Sequence, residues 1–422
     1  MRPVRRVWLH VLVVALLAAS SARAGELAAA RPKDVGLDAD KIQQAHAAVQ
    51  ALVAKREVAG AVVAVARRGK VAMFEAFGES EAGSGRRMTP DAIVRIYSMT
   101  KPITTVAAMI LVEEGKIGLD DPVSRHLPEF KDQRVHLSKG DETTPVKGGM
   151  TVRDLMRHTA GLTYGVFGNS PVDQLYRKAG VLSPADTNQD LVAKLGKLPL
   201  LYEPGTRWHY SAATDVLGRV VEVASGKPLD EFFAERIFRP LDMRDTGFSV
   251  PADRLDRFSA NHGTDPKAVK LVATEKAATS RYRDRPRFVS GGGGGVSTAR
   301  DYLRFCQMLL NGGDLDGVRI LKKESVAEMT RNQLPEPAMK AKNGGRADVG
   351  DGFGLGFAVR VGTDDPAAGK AVGEYSWGGA ASTHFWISPK QELAVVALEQ
   401  YMPNRPKLAQ AIKPLIYQAA RD

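Results

Sequence analysis

The 422-residue chain predicts an α+β fold: an antiparallel sheet flanked by helices, with a mainly helical region inserted into it. Three observations lead there. Apolar, β-rich runs gather toward the two ends of the chain, helix-spaced apolar stripes border them, and the middle is loop-rich with scattered helical stripes.

Taken in order, Met1 to Arg6 carries three arginines, Val7 to Ala19 is apolar, and Ala22-Arg23-Ala24 offers small residues where a signal peptidase reads. Residues 1–24 are therefore expected to be a cleaved secretory signal, since the apolar run falls short of the roughly 20 residues of a spanning helix. Stable membrane insertion after cleavage is not expected, and a periplasmic or secreted location is. Ile42, Ala45, Val49 and Leu52 mark a helix over Asp40 to Arg56. Ala61–Ala66 and Val71–Phe77, flanking Arg67-Arg68-Gly69-Lys70, read as a hairpin. A helix begins near Ser98 and ends at Gly115, with Ile103, Val106, Ala107 and Ile110 on one face. Thr151–His158, Ala213–Ser225 and Arg300–Leu310 are further helices, the last carrying the lone Cys306 in its apolar stripe. Phe353–Val361, Glu374–Ser376, Thr383–Ile387 and Leu393–Glu399 are expected strands, closed by a helix from Lys407. The α/β part is thus expected over about 25–125 and 290–422, and the inserted helical region over about 126–289.

Composition narrows the function. A hydrophobic share of 44% supports a sizeable core, and one cysteine excludes a disulfide framework or a cysteine-rich metal site. Losing the leader's arginines lowers the formal charge from +11 to +7. The run Arg281, Arg283, Arg285, Arg287 reads as a solvated loop, and no nucleic-acid motif accompanies it. There is no G-x-S-x-G elbow and no H-E-x-x-H, and Gly291–Gly295 lacks the Lys-Ser/Thr of a phosphate loop. Five glycines instead let backbone approach backbone, or bend beside a site. No metal or organic cofactor is implied.

One constellation carries chemistry. Ser98-Met99-Thr100-Lys101 sets a hydroxyl and an ammonium three residues apart at a helix start, on one helix face. Serine is a weak nucleophile, and a neighbouring lysine can take its proton. Tyr210, after Glu203-Pro204-Gly205-Thr206-Arg207-Trp208-His209, stands where a loop enters a helix. There a phenol beside Lys101 can act as base. Trp377-Gly378-Gly379 borders a strand as a candidate substrate-binding edge, and the N–H groups of Ala380 and Ser98 are candidates for an oxyanion hole.

With these elements in this order the chain resembles the serine β-lactamase-like hydrolases: class C β-lactamases, D-alanyl-D-alanine carboxypeptidases and family VIII esterases. Further similar stretches are Asp154–Leu162, Asp215-Val216-Leu217-Gly218, Pro240–Met243, Gly293–Tyr302 and Trp377–Trp386, so the likeness covers about residues 35 to 418. It implies a β-lactamase-like fold, with Ser98 acylated, Lys101 as its activating partner and Tyr210 as base or proton relay. His158 falls in a motif that looks structural and is expected to be buried and hydrogen-bonded.

Two departures bear on substrate. Ala212 stands where the lactamases and carboxypeptidases usually carry the Asn of Tyr-x-Asn, and Trp377 stands where they carry the Lys or His of Lys-Thr-Gly. Both losses disfavour a carboxylate-bearing lactam or peptide, and Trp-Gly-Gly looks like the family VIII pattern. The expectation is an exported esterase acting on small-molecule esters, short-chain acyl esters first. β-Lactams or cell-wall D-amino-acid peptides are the alternative substrates, and a non-catalytic envelope-binding protein is the alternative class.

Overall fold

The computed structural model describes residues 26–137, 142–340 and 352–420. The expected signal peptide lies outside them. The frame around the site consists of α1 (Ala39–Ala54), β1 (Gly60–Arg67), β2 (Lys70–Gly78), β3 (Val94–Tyr97), α2 (Thr100–Glu113), α3 (Ala213–Ser225), β4 (Gly295–Ser297) and α4 (Ala299–Leu310). It continues with β5 (Gly352–Phe353), β6 (Ala358–Val359), β7 (Tyr375–Gly378), β8 (His384–Ser388), β9 (Leu393–Glu399) and α5 (Lys407–Ala419).

The two ends of the chain meet in one seven-stranded antiparallel sheet of order β5-β6-β7-β8-β9-β1-β2. β1 pairs with β9 in the register Val63↔Ala397 and Val65↔Val395. All eight residues of β1 are buried, which explains why it reads as an unbroken apolar run rather than an alternating one. The period of two still sorts its side chains. Ala61, Val63 and Val65 enter the core under α1 and α5, while Val62, Ala64 and Ala66 enter the larger core shared with α2, α3 and α4. Arg68 (φ 52°) and Gly69 (φ 73°) turn the β1–β2 hairpin. Two successive positive φ values match the right-handed twist of the flanking strands, and glycine adopts one at little cost.

The expected strand Phe353–Val361 is instead two short strands, β5 and β6, folded on each other. Gly354-Leu355-Gly356 bends the run: the Gly354 N–H donates to the Phe357 carbonyl at 2.8 Å, and Gly356 sits at φ 85° against the Thr105 side chain. A hairpin at Asn261–Asp265 and Lys270–Glu275 has no counterpart in the sequence reading. Its first strand is polar and its second holds only the short apolar run Leu271-Val272-Ala273, and its place is set by tertiary bonds, including Asn261 Nδ2 to the Tyr97 hydroxyl at 2.9 Å.

Between α2 and β4, where a mainly helical region was expected, short helices alternate with irregular segments and with the strand pairs Arg134–His136/Thr143–Pro145 and Asn261–Asp265/Lys270–Glu275. The helix read over Thr151–His158 is one short turn, Val152–Met156, started by a reciprocal Thr151–Asp154 capping box. Cys306 is fully buried in α4. Of the arginine run, Arg285 pairs with Asp230 at 2.6 Å, Arg283 donates to the Ala278 carbonyl at 2.6 Å and Arg281 lies over the Tyr282 ring. The solvated-loop reading holds with the addition that these side chains are tied to the surface they lie on. Among the described residues no helix is long and apolar enough to cross a membrane.

Candidate active site

β3 delivers the site. It pairs with β4, and the strand ends at Tyr97, whose φ of 42° is sparsely populated for a non-glycine residue. The chain then turns through Ser98 into α2. The Lys101 N–H donates to the Ser98 carbonyl at 3.1 Å, so the one-turn spacing between Ser98 and Lys101 is held by backbone. The Thr100 hydroxyl donates to the Tyr97 carbonyl at 2.6 Å and receives the Gly295 N–H at 3.0 Å, tying this turn to β4.

Three predicted residues meet at one oxygen. Lys101 Nζ donates to Ser98 Oγ at 3.1 Å, and the Tyr210 hydroxyl donates to the same oxygen at 2.6 Å. Lys101 is only 1% exposed. A buried ammonium needs partners, and Lys101 has them. Its Nζ also donates to the Gly292 carbonyl at 2.5 Å and lies 4.6 and 5.4 Å from the ring centroids of Tyr210 and Tyr164.

Tyr210 arrives on the irregular segment that leads into α3. Rings fix it: His158 at 4.9 Å, Tyr164 at 5.2 Å, Trp377 at 5.5 Å, Phe167 at 6.0 Å and Trp208 at 6.2 Å between centroids. Its phenol therefore has few orientations open to it. His158 is buried as expected, and burial holds it well below the usual histidine range, with the Lys101 charge pushing the same way. Its Nδ1 finds no partner among the described residues, so it acts here as an aromatic wall rather than through a hydrogen bond from that atom.

The turn after β7 closes the far side. A side chain at Gly379 would meet the Ile96 carbonyl at 2.4 Å and Thr383 Oγ1 at 2.3 Å, so glycine is what lets this turn lie against β3. The turn is pinned from behind by Asn404 Nδ2 on the Gly379 carbonyl (2.9 Å) and by the Arg405 N–H on Ser382 Oγ (2.8 Å). Ala380 and Ser98 both line the site cavity. Among the described residues, neither the Ser98 nor the Ala380 N–H has an intramolecular acceptor. Trp377, Gly378 and Gly379 do not line that cavity. The Trp377 ring packs on Tyr210 and Phe353, and Gly378 faces the half-buried His384 ring, which would meet its Cβ at 2.6 Å. They shape the site from behind.

Three further groups contribute, and sequence reading missed the first two. Asp215, on α3, is 2% exposed; its Oδ1 accepts the Ser290 hydroxyl at 2.5 Å and the Gly292 N–H at 3.0 Å. Burial pushes its pKa up, and the Lys101 charge is the first influence to oppose that. An acid inside the apolar stripe of Val216, Leu217 and Val220 was the signal available. The second is the Gly292 carbonyl, which the glycine run hid because any residue type carries one. The third is Tyr164, whose pKa burial drives well above the usual range, with the Tyr210 phenol and Asp215 adding to it.

The β-lactamase family model matches residues 45–416. The chain belongs to the β-lactamase family. Among the relatives of this β-lactamase-family protein is esterase EstB of Burkholderia gladioli, 33% identical over 364 residues that cover 82% of this chain and 86% of EstB. Protein Rv1367c of Mycobacterium tuberculosis (strain ATCC 25618 / H37Rv) is 36% identical over 358 residues, covering 82% of this chain and 87% of the relative. The solved structure of EstCE1, described as a hydrolase with promiscuous acyltransferase activity, superposes with a TM-score of 0.76 at 28% identity, over 89% of this chain and 98% of that one. The protein is a serine hydrolase of β-lactamase fold with esterases among its relatives.

Proposed function

We propose that the protein is an exported carboxylic ester hydrolase that works through an acyl-enzyme on Ser98. The observation that carries this reading is the convergence of Lys101 Nζ (3.1 Å) and the Tyr210 hydroxyl (2.6 Å) on Ser98 Oγ at the wall of a cavity. The Ser98 proton passes to Lys101 in its free-amine form, or to Tyr210 as a phenolate beside the Lys101 ammonium, as Oγ attacks the ester carbonyl. The Ser98 and Ala380 N–H groups receive the oxyanion. As the carbonyl–alkoxide bond breaks, Tyr210 hands the proton to the departing alcohol. Water then attacks the acyl-enzyme with Tyr210 as base, and the products are one carboxylic acid and one alcohol.

Ester over lactam or peptide is favoured by Trp377 and Ala212, which replace the usual carboxylate- and amide-binding side chains. The esterase relatives support the same choice. The leader-like residues 1–24 support action in the periplasm or outside the cell. The test is hydrolysis of p-nitrophenyl butyrate by the mature protein beside Ser98→Ala. A rate well above buffer that disappears in the variant supports the proposal. Silence in both sinks it in favour of lactams, cell-wall peptides or a binding role, and activity surviving in Ser98→Ala means another nucleophile.

A further inference from the structure

Ser98 opens onto a cavity of about 360 Å³, the size class that holds whole small-molecule ligands rather than a two- to four-carbon chain. Most of its wall is rings and aliphatic side chains, among them Tyr164, Phe167, Leu182, Phe248, Tyr282 and Phe288, and Asp215, Asp284 and Ser290 are its acidic and hydroxyl lining. Phe248 and Phe288 reach into it from the buried core. At the mouth, Val166 and Phe167 are 66% and 65% exposed, side by side, although each is large and apolar. Adjacent exposed apolar side chains at a pocket mouth mark a surface that a ligand covers. The two arginines on the rim do not turn the cavity toward anions. Arg285 is held by Asp230 at 2.6 and 2.9 Å, and Arg281 lies 5.4 Å above the Tyr282 ring.

Resting on the acyl-enzyme reading above, we infer that the cavity binds the acyl half of the substrate and that the preferred substrates are esters of bulky, uncharged, apolar acids. The acyl group is the half assigned because it stays bonded to Ser98 through both half-reactions, whereas the alcohol departs after the first. Apolar contacts to it therefore act on both transition states. Short-chain esters are turned over but leave most of the wall uncovered.

Two measurements test this. The first is kcat/KM for p-nitrophenyl acetate, butyrate and octanoate with wild type and with Phe167→Ser, at an exposed position outside the core; the ratio of two substrates cancels any loss that its ring contact with Tyr210 causes equally for both. Burial of each added methylene is worth about fourfold, so burying only two of the six methylenes that octanoate adds to acetate is expected to raise kcat/KM about tenfold or more, mainly through KM. The octanoate-to-acetate ratio is expected to fall severalfold in Phe167→Ser. A ratio that is flat or falls with chain length overturns the inference, as does a ratio unchanged in Phe167→Ser. A preference that follows the alcohol in a series of acetate esters, and not the acyl chain, overturns it too. The second measurement is calorimetric binding of the same esters to Ser98→Ala. Tighter binding of octanoate there, weakened by adding Phe167→Ser, upholds the pocket assignment even where wild type fails to hydrolyse any ester and the catalytic reading falls. Equal binding of octanoate and acetate overturns the assignment.

Discussion

Asp215 and Lys101 act on the two arms of one residue. Asp215 Oδ1 accepts the Gly292 N–H at 3.0 Å, and the Gly292 carbonyl accepts Lys101 Nζ at 2.5 Å. The carboxylate thereby holds the acceptor that aims the ammonium at Ser98. Gly292 has no room for a side chain, since a Cβ would stand 2.3 Å from Asp215 Oδ2. Asp215→Ala leaves the Gly292 N–H and the Ser290 hydroxyl without their acceptor, a cost of about 1–3 kcal/mol for a buried donor. The freed lysine is expected to lower kcat about 100-fold, the scale of an ångström's misplacement. Asp215→Asn keeps an acceptor for the Gly292 N–H and should recover much of kcat. Ester hydrolysis and thermal melts of the two variants, side by side, check this. Equal losses in both would show that the charge matters rather than the hydrogen bond.

Tyr210→Phe keeps the ring among His158, Tyr164 and Trp377 and removes only the hydroxyl that reaches Ser98 Oγ at 2.6 Å. Loss of a positioned acid–base group costs about 10²–10⁴-fold in rate. The expected result is a fall of that order in kcat with little change in melting temperature. Full activity in Tyr210→Phe would leave Lys101 as sole base.

Gly379→Ala tests the contact between the turn after β7 and β3. The new Cβ would lie 2.4 Å from the Ile96 carbonyl and 2.3 Å from Thr383 Oγ1. The Thr383 side chain can turn away, but the Ile96 carbonyl is backbone of β3, and the turn or the strand must shift, moving Ala380 or Ser98. We expect kcat to fall about 100-fold and the melting temperature to drop, with Gly373→Ala, where a Cβ meets nothing within 4 Å but φ is 80°, as the comparison for stability loss alone. A Gly379→Ala enzyme with normal kcat would mean that the position of Ala380 is not critical.

Glu399, at the end of β9, supplies a pH signature of stability. Burial pushes its pKa up to about 8, against a usual value of 4.5. The folded state thus keeps a proton that the unfolded chain releases, and stability falls as pH rises from about 4.5 to about 8. Glu399→Gln has no proton to hold. Its melting temperature is expected to exceed that of wild type by a margin that grows across this window and is constant above it, reaching a few kcal/mol of stability. Parallel curves for the two proteins between pH 5 and 8 would refute the assignment.

The convergence of Ser98, Lys101 and Tyr210 was legible because each lies in a local pattern: a one-turn spacing at a helix start, and a loop-to-helix entry. So were β1, β9, α3 and α5, whose long apolar runs or stripes match one period. The run from Phe353 misled for a local reason too. Its apolar residues read as one strand, while Gly354 and Gly356 fold it back. Trp377, Gly378 and Gly379 were legible as a motif and not as geometry: nothing in their order distinguishes lining a cavity from backing one.

Residue types and spacings were therefore enough to name the family, the sheet built from both chain ends and the two groups that converge on Ser98 Oγ. The size and apolar walls of the cavity, the hold of Asp215 on Gly292 and the approach of Gly379 to Ile96 were decided only in three dimensions. Each joins segments far apart in the chain (residues 215 and 292, or 96 and 379), and each depends on backbone atoms or on which side of a ring faces inward. Side-chain chemistry is written in the order of residues. Backbone carbonyls and N–H groups are common to every residue and gain a role only when the fold brings a partner to them.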